Sequence, residues 1–340
     1  MASETFPHPL PPAPVLVTGA AGFIGRHLVN RLLSLECPVA VLDLPGAPLP
    51  SSWKGRVQVY CGDIADPKTV REAVARARTV FHLAAIVSDW GPEALYRRVT
   101  VEGSRNVYDA AAASGARVVL ASSIAVFGDR IGCQACDEET PFGNPVGPYS
   151  RAKQEQERLA WEYHQKGHLA VTVVRPANVY GPGSRPWVDL VVQTLRDRLP
   201  SLIGSGNQNA GLAYVENVVD VLLLAAARPE AVGRVYHACD GENVTWKRYF
   251  SDLARLAGTP PPWSIPLPLA RLGAALLETL WGTLRLRGRP PLTREAVNLV
   301  GSHHRIGTEQ TRRELGYEPR VQYSEALRAL QTYLQQGVLQ

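Results

Sequence analysis

The sequence predicts an α/β fold, a doubly wound parallel sheet of the Rossmann kind with a smaller C-terminal substrate-binding lobe. Three observations predict it. Short apolar runs rich in β-branched residues alternate with stretches of helical periodicity. A glycine-rich turn, TGAAGFIG, lies between the first such run and the first helical pattern. Past Arg175 the texture changes to glycine- and proline-rich segments. Runs that are apolar at every position need cover on both faces, which the intervening helices supply, and strand–helix alternation is the pattern of a parallel sheet.

In chain order, MASETFPHPLPPAP holds five prolines and no apolar run, so residues 1–14 are expected to form a disordered tail without the core of an export signal. Strands are predicted at VLVT (15–18), VAVLD (39–43), VQVYC (57–61), TVFHL (79–83), RVVLAS (117–122) and AVTVVR (170–175), with GRVYHACD (233–240) rejoining the sheet. The dinucleotide-binding domain is then 15–177 and 218–240, and the lobe 178–217 and 241–340. Within the lobe Leu269, Leu272, Leu276, Leu280 and Leu284 recur at helical spacing. The expected arrangement packs them on the lobe's own core; the alternative lays them on a bilayer surface or along an apolar pocket. The charges in that segment exclude a membrane span.

Composition excludes other classes. At 340 residues, 45% hydrophobic and 20% charged, the chain is globular. Its net charge of +5 comes from scattered arginines without a basic run, which argues against a nucleic-acid partner. Five cysteines, an odd and sparse set, suit a reducing cytoplasm. Cys133 and Cys136 form a lone CxxC without a second ligand pair nearby, so no metal site is expected.

The turn places Gly19, Gly22 and Gly25, with Phe23 and Ile24 between them, ahead of the helical pattern RHLVNRLLSL. Glycines there let the backbone approach a pyrophosphate, which sits on the positive end of the following helix. The second strand ends in Asp43, positioned to hold both ribose hydroxyls and to repel a 2′-phosphate, and Leu44 and Pro45 offer no arginine to receive one. The expected cofactor is NAD, with NADP less suited. Asp63 in CGDIAD, followed by Ile64, is placed to bond the adenine amino group, or else to cap the helix beginning near Pro67. Leu83, Ala84 and Ala85 are small enough to pass close to the cofactor or to pack as core, and Pro176 closes the set at the end of the sixth strand.

PYSRAK puts Tyr149 and Lys153 on one helix face. An ammonium beside a phenol favours the phenolate and draws its pKa down, which makes Tyr149 a candidate acid/base for a carbon that exchanges hydride with NAD. Lys153 would also hold the ribose. Of the adjacent Ser122 and Ser123 that end the fifth strand, Ser123 is the candidate for orienting the substrate oxygen.

TGAAGFIG, Asp43, GDIAD, SSIAVFG, YSRAK and RPANVYGPG together resemble the extended short-chain dehydrogenase/reductase superfamily, over nearly the whole chain after residue 14. The resemblance implies an enzyme but leaves its reaction open among epimerases, dehydratases, ketoreductases and steroid dehydrogenases. Dehydratases of the superfamily carry an Asp-Glu pair after the catalytic hydroxyl, where this chain has Ile124 and Ala125. In nucleotide-sugar epimerases an arginine that grips pyrophosphate falls on Ala210, within GSGNQNAGLAYVENV (204–218). YVENV, SDWGP (88–92), PPLTREAV and RRELGYEP instead resemble the branch of 3β-hydroxysteroid dehydrogenases, sterol-4α-carboxylate 3-dehydrogenases and 2-alkyl-3-oxoalkanoate reductases. Thr100, in place of an asparagine, and GSG, in place of GDG, depart from the pattern.

The resemblance therefore implies a small hydrophobic hydroxy or keto substrate. Val87, Ser88, Asn178, Tyr180, Trp187 and Tyr214 are its candidate contacts. It also implies a homodimer built on the helices at 93–114 and 149–166. A nucleotide-sugar 4-epimerase using Arg185 and a non-catalytic NAD-binding sensor stand as alternatives.

Overall fold

The structure, a computed structural model, describes residues 10–336. The first half runs β1 (Val15–Thr18), α1 (Phe23–Ser34), β2 (Val39–Asp43), β3 (Val57–Cys61), α2 (Pro67–Val74), β4 (Thr79–His82), α3 (Glu93–Tyr96), α4 (Gly103–Ser114), β5 (Arg117–Ala121), α5 (Pro148–Gln165) and β6 (Val171–Pro176). It continues through β7 (Asn178–Tyr180), α6 (Leu190–Arg196), β8 (Leu202–Ile203), β9 (Leu212–Tyr214), α7 (Val215–Ala227), β10 (Val235–Ala238), α8 (Trp246–Ala257) and β11 (Ser264–Ile265). The last helices are α9 (Leu267–Leu284), α10 (Arg294–Val300), α11 (Glu309–Leu315) and α12 (Tyr323–Gln335).

Seven strands form one parallel sheet in the order β10-β6-β5-β4-β1-β2-β3. The order reverses between β1 and β4, and that switch point is where such sheets bind ligands at the C-terminal ends of their strands. One core lies between the sheet and the face that carries α1 and α7. A second lies against α2, α4 and α5. The lobe has its own core, built from Tyr180, Tyr214, Trp246, Tyr249 and Tyr323 with aliphatic neighbours.

The sheet carries all seven expected strands, with ends shifted by a few residues. Three expectations need correction. VQVYC was expected to be covered on both faces, but β3 is the sheet edge and Val59 is 45% exposed. Of the expected tail, residues 1–9 lie outside the described residues, while Pro11 is buried and the chain is bonded to β4: the carbonyl of Pro12 accepts from the Thr79 hydroxyl at 2.7 Å and that of Pro14 from the Arg78 amide at 2.8 Å. Prolines lack N–H groups, but their carbonyls remain acceptors.

The third correction concerns the leucine-rich helix. α9 buries only Ala270 and Ala274, against Ile203 and Val297, and turns Leu269, Leu272, Leu276, Leu280 and Leu284 to solvent. The small residues let α9 approach α10 closely, and that close approach leaves the leucines on the far side.

Candidate active site

Gly19 follows β1 at φ +70°, a conformation glycine adopts freely. A Cβ on Gly19 would come within 2.9 Å of the Ala84 backbone, and one on Gly25 within 2.3 Å of the Gly19 carbonyl. The first glycine therefore lets the β1 and β4 loops touch, and the third lets α1 close down on its own turn. The N-cap of α1, Gly22, makes no side-chain cap, so the amides of the first turn are left for an anion. Asp43 accepts from the Ala21 amide at 2.7 Å and the Leu44 amide at 2.9 Å, which fixes a carboxylate against the turn. Arg26 braces the same turn, bonding the carbonyls of Ala21 and Pro48. A helix terminus with no side-chain cap, beside a fixed carboxylate, fits a dinucleotide: the turn would hold the pyrophosphate and Asp43 the ribose.

Asp63 does not cap α2. Asp66 does, accepting from the Lys68 and Thr69 amides, while Asp63 accepts from the Ala65 amide and pairs with Arg98 at 2.8 Å. Ile64 is buried and packs where a Cβ on Gly103 would lie. The amides of Leu83 and Ala84 are held by the Thr18 carbonyl and hydroxyl. Thr100, in place of the family asparagine, accepts from the Ile86 amide at 3.0 Å and so fixes the chain as it leaves β4.

Beneath this turn lies a buried polar chain that sequence reading missed. The Thr18 hydroxyl bonds His82 at 2.8 Å, and His82 bonds Ser104 at 2.8 Å. Gln156 donates to the Ser104 hydroxyl at 2.7 Å and accepts from the Lys153 ammonium at 2.9 Å. Burial, reinforced by the charge of Lys153, pushes the His82 pKa down to about 3, so the imidazole is neutral. Nothing in the spacing of Thr18, His82, Ser104 and Gln156 marks them as partners. Their one common feature is a polar side chain at a position patterned as core.

Tyr149 stands at the start of α5, with Ser123 beside it. Burial pushes the phenol up to about 12; Ser123 lowers it, and Glu295 and Tyr96 raise it. Ser123 also caps a short 3-10 turn by accepting from the Ala125 amide. The two serines are thereby separated, because Ser122 donates to Glu157, which pairs with Arg175 in the core. Lys153 is buried, and desolvation pulls its ammonium down to about 7. It donates to the Ala121 carbonyl and to Gln156.

Glu295, on α10, was not singled out by sequence. One of its oxygens accepts from the Ser150 amide at 2.9 Å, at the N-terminus of α5. The other has no hydrogen-bond partner, and burial raises the carboxyl pKa to about 7. Asp89 of SDWGP is likewise held by the lobe, through Arg289 and Thr293.

The expected substrate contacts divide. Val87 is 69% exposed, and Ser88 lies beside it at the open edge, bonded to Trp90 and Tyr96. The other four pack within the lobe, Trp187 half-buried. The Asn178 amide donates to the Ala210 carbonyl at 2.6 Å, Tyr180 and Tyr214 are buried with ring centroids 5.5 Å apart, and the Trp187 ring packs on Trp246 at 5.0 Å. Aromatic packing uses the faces that a ligand would need. Ala210 is fully buried, and Glu216 of YVENV bonds His27 and Arg31. Pro176 is buried at the end of β6, and Arg185 is exposed beside Asp189. Cys133 is exposed and Cys136 buried, its thiol pushed up to about 11 by burial.

Residues 15–239 match the model of the NAD dependent epimerase/dehydratase family. The chain belongs to that family. It is 32% identical over 332 residues to the 2-alkyl-3-oxoalkanoate reductase of Stenotrophomonas maltophilia, covering 93% of this chain and 98% of that one. Mouse sterol-4-alpha-carboxylate 3-dehydrogenase, decarboxylating, is 28% identical over 330 residues, with coverage of 93% and 90%. Among solved structures, MoeE5 in complex with UDP-glucose and NAD superposes with a TM-score of 0.75 at 26% identity, over 96% of this chain and all of that one. As a member of this family the protein is an NAD-dependent oxidoreductase with a Rossmann sheet, and NAD is the cofactor that the turn and Asp43 suit.

Proposed function

We propose that the protein interconverts a secondary alcohol and a ketone on a bulky, apolar molecule, steroid-like or lipid-derived. The observation that supports the chemistry is the placing of Tyr149, at the start of α5, beside Ser123, at the end of β5, where Ser123 lowers the phenol's pKa. The substrate class is supported by the buried, uncharged Ala210 and by similarity to proteins named as an oxoalkanoate reductase and a sterol dehydrogenase. NAD supplies the hydride acceptor for oxidation and, reduced, the donor for the reverse direction. Ser123 holds the substrate oxygen. Tyr149 as the phenolate takes the alcohol proton at its oxygen while the carbonyl forms, and as the phenol returns it in the reverse direction. A phenol held at about 12 is almost wholly protonated at neutral pH, so its anion needs stabilising, and the Lys153 ammonium, four residues along the same helix, is the group we propose for it. We take the working form to be a cytoplasmic homodimer.

The test is NADH absorbance with NAD and a panel of 3β-hydroxysteroids, 2-alkyl-3-hydroxyalkanoates and other apolar alcohols. Turnover is expected, and Tyr149→Phe should lower it by about 10²- to 10⁴-fold. A variant that turns over like wild type removes Tyr149 from this role. The second reading, a nucleotide-sugar 4-epimerase, draws on the similarity to the UDP-glucose complex and on exposed Arg185. UDP- and dTDP-sugars should give no saturable heat in titration calorimetry; a saturable heat that Arg185→Ala abolishes would move the site to sugar nucleotides.

A further inference from the structure

We infer that α9 is a membrane-docking helix that lays its leucine stripe into the headgroup boundary of a bilayer carrying anionic lipids. Leu269, Leu272, Leu276, Leu280 and Leu284 are between 44% and 62% exposed along one side of the helix. The small residues Ala270 and Ala274 face inward. This orientation leaves apolar area in water that a lipid surface would bury. Polar groups on the exposed side are satisfied within the helix: the Thr279 hydroxyl donates to the Ala275 carbonyl and the Thr283 hydroxyl to the Thr279 carbonyl, each at 2.8 Å. Neither needs to keep a water partner on entering a dry environment. Glu278, the helix's one carboxylate, is on the packed side and pairs with Arg294. Among the described residues no helix is long and apolar enough to cross a membrane, so α9 would lie on the surface rather than span it.

Charge selects the kind of surface. Immediately after α9 the chain reads Arg285-Leu286-Arg287; Leu286 is 41% exposed, and neither guanidinium group makes a hydrogen bond or ion pair among the described residues. A leucine stripe that ends in free guanidinium groups complements a surface with an apolar interior and a negative rim. A second copy of the chain is a poorer occupant. The same face on that copy has no free carboxylate to meet the arginines, and the homodimer expected from the family resemblance uses 93–114 and 149–166. Docking would also bring the site near the lipid. From Arg285 the chain leads within ten residues to Thr293, which bonds Asp89, and Glu295, which bonds the amide next to Tyr149.

Flotation of the full chain with phosphatidylcholine vesicles, with and without about a third phosphatidylglycerol, tests this by binding alone and is independent of the substrate reading. Wild type should float with the anionic vesicles at least about tenfold better than with the neutral ones, and the difference should shrink in high salt. A variant combining Leu272→Gln, Leu276→Gln and Leu280→Gln, with an unchanged melting temperature, should lose at least about tenfold of that binding. Arg285→Gln with Arg287→Gln should remove the preference for anionic lipid. Wild type that floats with neither vesicle, or a leucine variant that floats as well as wild type, overturns the proposal. So does a wild-type dimer that the leucine substitutions convert to monomer without any vesicle binding, since the face would then belong to a second copy.

Discussion

α7 and α9 are both apolar helices, yet the protein treats them in opposite ways. α7 buries every residue except Glu216 and Ala227, packed between β6, β10 and α1, and the half-buried Glu216 is tied to His27 and Arg31. α9 buries two alanines and exposes its leucines. The difference lies in what surrounds each. α7 is enclosed on all sides, whereas α9 has one neighbour, α10, and a thin cluster beneath it. A leucine therefore reports the presence of an apolar surrounding only where the fold supplies one.

Substitution should separate the two helices. Leu222→Ala in α7 removes a fully buried side chain and should cost about 2–5 kcal/mol in urea unfolding. A loss under about 1 kcal/mol would mean that α7 packs more loosely than its burial implies. α10, which touches both α9 and the catalytic helix, should give a pH-dependent effect. Burial raises the Glu295 carboxyl to about 7, above its value in the unfolded chain, so the folded form holds the proton more tightly. Its favourable contribution is fully present below about pH 4.5 and is lost as pH rises through about 7, a change of roughly 3 kcal/mol. Asp240, raised to about 7 chiefly by burial, titrates in the same window and stays in the variant, so only the difference between the proteins is diagnostic. Glu295→Gln, which keeps an oxygen for the Ser150 amide, should show a flatter stability profile than wild type across that range; parallel profiles would dismiss the shift. The smallest effect is expected in α9, where Leu276→Ala, at an exposed position, should change stability by less than about 0.5 kcal/mol. A larger loss would mean that the stripe is packed after all.

Much of the site was legible because it is local. The glycine turn, the aspartate that ends β2 and the Tyr–Lys spacing each use residues close in sequence, and backbone sterics or helix periodicity force their consequences. Asp63 was harder. Its neighbour Asp66 has the same chemistry, and only the position of Arg98 and the true start of α2 separate their partners. Lys153 was placed correctly on the helix face with Tyr149, but its partners were not foreseen, since Gln156 and the Ala121 carbonyl compete for its protons. Tyr180, Tyr214 and Asn178 were expected as ligand contacts from a motif at the strand ends; what the sequence did not show is that Tyr180 and Tyr214 pack in the lobe's core and that Asn178 donates to the Ala210 carbonyl.

The stretch GSGNQNAGLAYVENV contains both kinds of information. Its uncharged turn and Ala210 are facts of sequence, and they argue against a pyrophosphate grip of the epimerase kind whatever the fold does around them. The sequence by itself likewise determined the strand order's raw material, the cofactor turn and the candidate trio, because each depends on residue type and short-range geometry. Only the tertiary structure decided that Glu216 pairs with His27 and Arg31, that Glu295 meets the N-terminus of α5, and that α9 turns its leucines outward. Those outcomes depend on which distant side chain arrives to fill a space or pair a charge, and spacing along the chain does not specify that.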